Sequence, residues 1–157
     1  MTETIGQHGS LAPPRTCLVP EASPGLLDTN VFIHAHAEDS ASDECRHFLR
    51  ALEAGQVEAY LDPVILHELS YALPHYLKQM TRSDVAEYLL MILAWEAVHG
   101  EKAVMVDTVE RWQNTAGLSF ADAYLAALAT QRGAQVFSKN VRELHGQAVR
   151  VANPLLG

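Results

Sequence analysis

The sequence lacks most of the features that mark a secreted, membrane-spanning or cysteine-stapled protein. Its 157 residues include only two cysteines, Cys17 and Cys45, which is too few for a disulfide framework or a cysteine zinc site. The longest apolar run, residues 88–98, contains Glu96 and is too short to cross a bilayer. No N-terminal stretch combines a basic region with an apolar core, as a signal peptide does. These absences predict a cytoplasmic protein with reduced thiols.

Positive charge is also scarce. The chain has 11 lysines and arginines against 19 acidic residues, which gives a formal net charge of −8. This charge balance argues against non-specific electrostatic binding of nucleic acid and suits a basic partner. It does not exclude a nucleic-acid enzyme, because acids clustered around a metal ion present a different field once the cation is bound.

Several familiar catalytic motifs are missing as well. The chain has no glycine-rich phosphate loop, and neither a Ser–His–Asp set nor a phosphatase nucleophile motif stands out. Of the eight histidines, His34 and His36 are two residues apart and therefore point to different faces of a helix. His67 points about 100° away from Glu68 on a helix. We expect packing or surface roles for these histidines rather than a joint metal site.

The composition that remains fits one globular domain. Hydrophobic residues make up 48% of the chain and charged residues 19%, as in soluble globular proteins, and the length allows a sizeable core. Residues 1–24 hold four of the seven prolines and show no periodic pattern. We predict a flexible extension over residues 1–24, partly ordered by a partner in the alternative interpretation, and a folded domain over residues 25–157.

Short apolar segments alternate with helical patterns along that domain. The alternation predicts an α/β fold, a three-layer α/β/α sandwich with a central parallel sheet and right-handed crossovers. Asp62 followed by Pro63 is a strong helix start, and Pro74 is expected to kink that helix or end it near Leu73. The predicted strands are 26–27, 57–61, 103–106, 135–138 and 149–152, and the helices after the first short one are 40–54, 63–73, 83–99, 107–117, 120–131 and 141–144.

Two neighbouring segments carry dense apolar runs. Ser83 is expected to cap the helix over residues 83–99, whose apolar side chains cover more than one stripe and indicate a core helix, or secondly a homodimer contact. The run over residues 103–106 predicts the third strand, and Asp107 with Glu110 fits a capping pair for the helix that follows.

Acidic residues recur where predicted strands end and helices begin. The stretch LLDTNVFIHAH places Asp28 directly after an apolar strand whose two leucines, at 26–27, are expected to be buried. Glu68 lies near the edge of a packed helix face, and Asp122 lies in the first turn of the helix that Ser119 starts. After the fourth predicted strand, the segment SKNVREL offers Ser138, Asn140 and Glu143.

Each of these residues also has a purely structural interpretation. The alternatives are a helix cap for Asp28, a solvated helix residue for Glu68, a capping box with Ser119 for Asp122, a surface charge for Glu143 and a turn residue for Asn140.

Together, the same residues predict a site at one edge of the sheet, because ligands of open parallel sheets bind beyond the carboxyl ends of the strands. Two carboxylates about 4 Å apart repel by about 4 kcal/mol at an effective dielectric near 20, so three or four of them need protonation or a cation. All-oxygen ligands suit Mg²⁺ or Mn²⁺. Such ions activate water and neutralise a phosphodiester during its hydrolysis.

In the order and spacing of these segments, the chain resembles PIN-domain proteins, and most closely the VapC-type ribonuclease toxins of type II toxin–antitoxin systems. The resemblance covers residues 26–154 and rests on four segments: LLDTNVFIHAH, LHELSYAL, LSFADAYLAALATQRGAQVFSKNVREL and VRVANP. It implies that Asp28, Glu68 and Asp122 are the three acidic positions of a metal site.

The fourth position of that site departs from the family pattern. The family often has a Thr–x–Asn–x–x–Asp–Phe segment here, whereas this chain has Ser138, Asn140, Glu143 and Leu144. The resemblance then implies that Glu143 stands in for the aspartate with a longer reach and that Ser138 supplies a hydroxyl near metal or phosphate. The number of bound metals stays open.

The resemblance also implies an activity and partners. Such proteins are similar to Mg²⁺-dependent endonucleases that cut structured RNA, such as tRNA or rRNA, and a small antitoxin neutralises them by inserting a segment into the site. The altered fourth position motivates a rival hypothesis, a catalytically weak PIN-like module that acts by binding a protein or an RNA. Four cations near the site in sequence would hold RNA phosphates or be ordinary solvated charges: Arg111, Arg132, Lys139 and Arg142.

Overall fold

The computed structural model describes residues 23–154. The predicted extension over residues 1–24 therefore lies outside the described residues except for its last two, and Cys17 lies outside them too. Cys45, which is among the described residues, is a half-buried free thiol.

Helices dominate the described chain, and the strands are short. The elements in chain order are β1 Gly25–Leu26, α1 Thr29–His36, α2 Ser42–Glu53, β2 Ala59–Tyr60, α3 Pro63–Tyr76, α4 Arg82–Ala94, β3 Val98–His99, α5 Lys102–Asn114, α6 Phe120–Arg132, β4 Gln135–Phe137, α7 Val141–His145 and β5 Arg150–Ala152.

All strand pairs in the described residues are parallel, which confirms the predicted α/β fold. Strands β1, β2 and β3 form one sheet with β2 in the middle, and β4 pairs with β5 in a second sheet of two strands. The first ladder continues past β1, since the Leu27 N–H donates to the Tyr60 carbonyl at 3.0 Å. Leu27 is buried as predicted, but Leu26 is 83% exposed. Successive strand residues point to opposite faces, so only one of the two leucines reaches the core.

The third strand was predicted in the wrong place. Residues 103–106 belong to helix α5, and β3 lies earlier, at Val98–His99. Four buried residues of α5, Val104, Met105, Thr108 and Val109, recur at the spacing of one helix face. Asp107 is consequently not a cap with Glu110 but a mid-helix residue, and it accepts from Arg111 at 2.8 Å.

Helix α4 is a core helix, as the first of the two interpretations proposed. Val85, Leu89 and Ile92 have no exposed area. The helix begins at Arg82, one residue before the predicted cap, because its N-cap is Thr81, in a capping box with Asp84, and not Ser83. It ends at Ala94, before β3, and not at residue 99 as predicted.

Helix α3 begins where the sequence predicts and ends later. The Asp62 carboxylate accepts from the Val64 N–H at 2.8 Å, and Pro63 occupies the first helical position. Pro74 does not end the helix at Leu73, because it falls in the last turn, where its missing N–H removes only one intrahelical hydrogen bond.

Candidate active site

Asp28 stands between β1 and α1 with its carboxylate exposed. It occupies the N-cap position of α1, but its side chain makes no capping hydrogen bond. Its Oδ2 instead accepts from the Asn30 side-chain amide at 3.2 Å. Helix capping alone therefore does not account for this carboxylate.

Glu68 is brought to the start of α1 from 39 residues away. The Thr29 hydroxyl donates to Glu68 Oε2 at 2.6 Å, which is the short distance typical of a hydroxyl bonded to a carboxylate. Thr29 is 5% exposed, and Glu68 is half-buried at the edge of the packed face of α3, as the sequence predicted. The sequence analysis did not single out Thr29, which follows Asp28 directly and joins the start of α1 to Glu68.

Asp122 lies in the first turn of α6 and has two roles. Its N–H donates to the Ser119 Oγ at 3.0 Å, which is the capping interaction predicted as the structural alternative. Its carboxylate Oδ2 accepts from the Ser119 hydroxyl at 2.9 Å and from the Asn140 side-chain amide at 3.3 Å. The second contact crosses 18 residues and places the segment after β4 beside Asp122.

Of the three candidate residues in the segment after β4, only Asn140 contacts an acidic residue of the predicted site. Asn140 reaches Asp122, and the Ser138 hydroxyl accepts from the Asn140 N–H at 3.0 Å. Glu143 pairs with its neighbour Arg142 at 3.2 Å. A hydrogen bond from the backbone N–H of Glu143, together with the Arg142 guanidinium, lowers the pKa of the Glu143 carboxyl. Its hydrogen bonds within residues 23–154 do not include Asp28, Glu68 or Asp122.

The acidic side chains of the described residues do not form one ligand set, and two long-range hydrogen-bonded pairs, Thr29–Glu68 and Asn140–Asp122, connect them to other segments. Across residues 23–154, no three His, Cys, Asp or Glu side chains are grouped so that they could hold a metal ion. Mutual repulsion of carboxylates opposes such a group unless a cation offsets it. The donor chemistry nevertheless fits a divalent ion of the Mg²⁺ class, because the pairs offer carboxylate, hydroxyl and amide oxygens.

A cavity of about 550 Å³ lies between the first halves of α3 and α6, and its lining includes the sequence neighbours of Glu68 and Asp122, His67 and Ala121. His67, which directly precedes Glu68, lines it, and its ring lies 5.7 Å from that of Phe120 and 5.8 Å from that of Tyr71. This agrees with the packing or surface role expected for His67. Asp62 and Glu101 give the cavity an acidic rim.

The other histidines singled out in the sequence do not share a partner. His34 Nδ1 lies 2.6 Å from Asp39 Oδ2, and this hydrogen bond lowers the pKa of Asp39. The His36 ring packs edge-on against Tyr88, with centroids 4.9 Å apart.

The four cations near the site in sequence have different environments. Arg111 is engaged inside the fold, donating to Asp107, to the Gln147 carbonyl at 2.7 Å and to Thr130. Arg132 ends α6, about 15 Å along the helix axis from Asp122. Lys139 and Arg142 are exposed in the segment that holds Asn140, so these two are the better candidates for phosphate contacts.

Comparison with known proteins gives one family. A family model described as PIN domain matches residues 25–145. The matched range runs from β1 to the end of α7 and includes both hydrogen-bonded pairs. None of the curated proteins matches the chain closely enough to establish a relationship. In residues 23–154, no helix has the length and apolar character needed to cross a membrane.

Proposed function

Because this chain belongs to the PIN domain family, whose members are generally metal-dependent nucleases, we propose that it is a Mg²⁺-dependent endoribonuclease. We further propose that it is the toxin of a toxin–antitoxin pair, hydrolysing RNA phosphodiesters with metal-activated water.

One observation supports this proposal more than any other. Two hydrogen bonds, Thr29 to Glu68 and Asn140 to Asp122, gather polar groups from four separate segments of the chain. Neither contact is needed to start or end a helix, since α3 is capped by Asp62 and α6 by Ser119. Asp28 follows β1 and Asn140 follows β4, and the carboxyl ends of parallel strands are where ligands of open α/β sheets bind.

In the proposed site, Asp28, Glu68 and Asp122 hold Mg²⁺ or Mn²⁺, with Ser138, Asn140 and Glu143 in support. A bound divalent ion supplies an activated water and offsets charge on the phosphodiester. The chain itself orients the carboxylates: the Thr29 hydroxyl fixes Glu68, and Ser119 with Asn140 fixes Asp122. No protein nucleophile is required.

The partners follow from charge and exposure. The net charge of −8 suits a small basic antitoxin. For the expected homodimer, α4 is a poor contact because Met91 is its only large apolar side chain that is well exposed. Val64 on α3 and Leu125 on α6 are 70% and 42% exposed and line the same cavity, so we place the contact there.

The test is cleavage of total cellular RNA by the purified chain with Mg²⁺, with EDTA, and with Asp122→Asn. We expect discrete fragments only from the wild-type chain with metal. Glu110→Gln is the matched control, because it removes an exposed carboxylate from α5 and should leave cleavage unchanged. Intact RNA in every lane, with Mn²⁺ also tried, would contradict the nuclease and favour the catalytically weak binding module. Equal degradation in every lane would show that the nuclease is a contaminant.

A further inference from the structure

Arg82 closes the turn between α5 and α6. It is the first residue of α4, and its Nη2 donates to three backbone carbonyls, those of Trp112, of Thr115 at 3.2 Å and of Leu118 at 2.9 Å. Carbonyls at a helix C-terminus have no helical partner and need one from elsewhere. A single guanidinium from 30 or more residues away therefore holds the end of α5 and the turn that follows it.

That turn leads directly into the candidate site. Leu118, whose carbonyl Arg82 holds, is followed by Ser119, the N-cap of α6. The Ser119 Oγ contacts both the N–H and the carboxylate of Asp122, at 3.0 and 2.9 Å. The position of the turn thus determines, through Ser119, the position of the Asp122 carboxylate.

A second route runs from Arg82 through aromatic rings. Its guanidinium lies over the Trp112 ring, 4.5 Å from the centroid, in the geometry of a cation–π contact. Trp112 packs edge-on against Phe120 at 5.4 Å, and Phe120 lies 5.7 Å from the ring of His67. His67 precedes Glu68, so this stack connects Arg82 with the helices that carry both acidic residues.

The start of α4 holds Arg82 in place and leaves one of its nitrogens buried without a hydrogen-bond partner among the described residues. The Thr81–Asp84 capping box fixes the first turn of α4. The Nε of Arg82 is buried and has no hydrogen-bond partner within the part of the chain that the structure describes. Buried unsatisfied donors are rare in folded proteins, and here the guanidinium leaves Nε unpaired while its Nη2 contacts three carbonyls.

We propose that Arg82 is a positioning residue: by holding the turn over residues 115–118 and the Trp112–Phe120 stack, it sets Asp122 and Glu68 for binding of a divalent ion. The proposal rests on the proposed function for the identity of the ligand. Arg82→Met should weaken Mn²⁺ binding about tenfold, as the loss of groups that orient metal ligands commonly does. Arg82→Lys should recover part of the affinity, because an ammonium donates to carbonyls but lacks the planar fork and the stacking of a guanidinium.

Arg46 provides a matched control. Its Nη1 donates to the carbonyls of Ala35 and Ala37, at 3.2 and 3.4 Å, at the C-terminal end of α1. It is therefore the same kind of clamp on a helix end, but at the far end of α1 from Asp28. Arg46→Met should cost stability without changing Mn²⁺ affinity.

The experiment uses the full chain and two readouts. Calorimetric titration with Mn²⁺ measures affinity, and amide hydrogen exchange without metal measures protection of residues 118–124. We expect Arg82→Met to weaken binding and speed exchange in that segment, with Arg82→Lys between it and wild type. If Arg82→Met does not fold, the lysine variant is compared with wild type by the same two readouts.

Three outcomes would overturn the proposal or part of it. Unchanged affinity and exchange in the Arg82 variants would refute it outright. An equal loss of Mn²⁺ affinity in Arg46→Met would show a general effect of stability. A wild-type chain that neither binds Mn²⁺ nor cleaves RNA would refute the proposed function and the metal part of this proposal, while hydrogen exchange would still decide whether Arg82 holds the turn.

Discussion

Replacing Thr29 with valine tests the contact that joins Glu68 to the start of α1. Thr29→Val keeps the size and branching of the side chain and replaces with a methyl group the hydroxyl that donates to Glu68 Oε2 at 2.6 Å. Because Thr29 is 5% exposed, the substitution changes this hydrogen bond with little disturbance of solvent-facing surface.

The expected loss of stability follows from the environment of the two partners. A hydrogen bond to a charged group contributes about 1.5–3 kcal/mol net. Glu68 is half-buried, so water replaces part of the lost contact and the expected loss is near the lower end, about 1.5 kcal/mol. In a chain of this size, 1 kcal/mol shifts the Tm by roughly 2–4 °C, so Thr29→Val should lower the Tm by about 3–6 °C.

A double-mutant cycle with Glu68→Ala makes the argument refutable. In the Glu68→Ala background the Thr29 hydroxyl is left buried without its acceptor, which costs about 1–3 kcal/mol. Thr29→Val should then be neutral or stabilising instead of destabilising. Urea denaturation of the four proteins measures the coupling between the two residues. If valine is equally destabilising in both backgrounds, the hydrogen bond does not stabilise the fold and the reasoning is wrong.

Two further predictions concern pH and assembly. Burial raises the pKa of Tyr88 from 10.0 to about 12, so the folded state keeps this proton while the unfolded state loses it. Its stabilisation is therefore complete below pH 10 and is lost as the pH rises to about 12. Between pH 9 and 11, Tyr88→Phe should reduce the fall in the free energy of unfolding, measured by urea denaturation, by roughly 1 kcal/mol. In sedimentation velocity, Val64→Asp should convert a wild-type dimer to monomer while Met91→Asp leaves it dimeric, and a wild-type monomer at every concentration would disprove the dimer.

Local signals in the sequence predicted the elements that begin at a strong cap. Asp62–Pro63 starts α3 and Ser119 starts α6, because the capping groups lie within three residues of the N–H groups they bind. Gly133 ends α6 with a positive φ of 60°, a conformation that glycine adopts without strain.

The signals failed where the structure depends on distant partners. A run of four apolar residues, such as 103–106, fits a strand or a buried helix equally well, and packing against α4 and α6 decides for helix α5. The strands are only two or three residues long, so their pairing and the division into two sheets depend on tertiary contacts.

The candidate site shows the same division. The acidic positions were predicted from their places after strands and in helix turns, whereas the contacts of Glu68 with Thr29 and of Asp122 with Asn140 come from the structure alone. The bond between Thr29 and Glu68 spans 39 residues, and the clamp from Arg82 to Leu118 spans 36. No local sequence pattern predicts such contacts, because the partner of each side chain lies far away in sequence and is brought close only by the fold.

The two hydrogen-bonded acidic pairs are also separated in the order of synthesis. Thr29 and Glu68 both belong to the first half of the chain, whereas Asp122 and Asn140 emerge from the ribosome late. A nascent chain that ends at Ser119 contains Arg82 and the turn over residues 115–118 that it clamps, but it lacks Asp122 and Asn140. If the proposed function holds, a ribosome making this protein therefore carries an incomplete nuclease site beside its own RNA until residues 119–145 have emerged and folded.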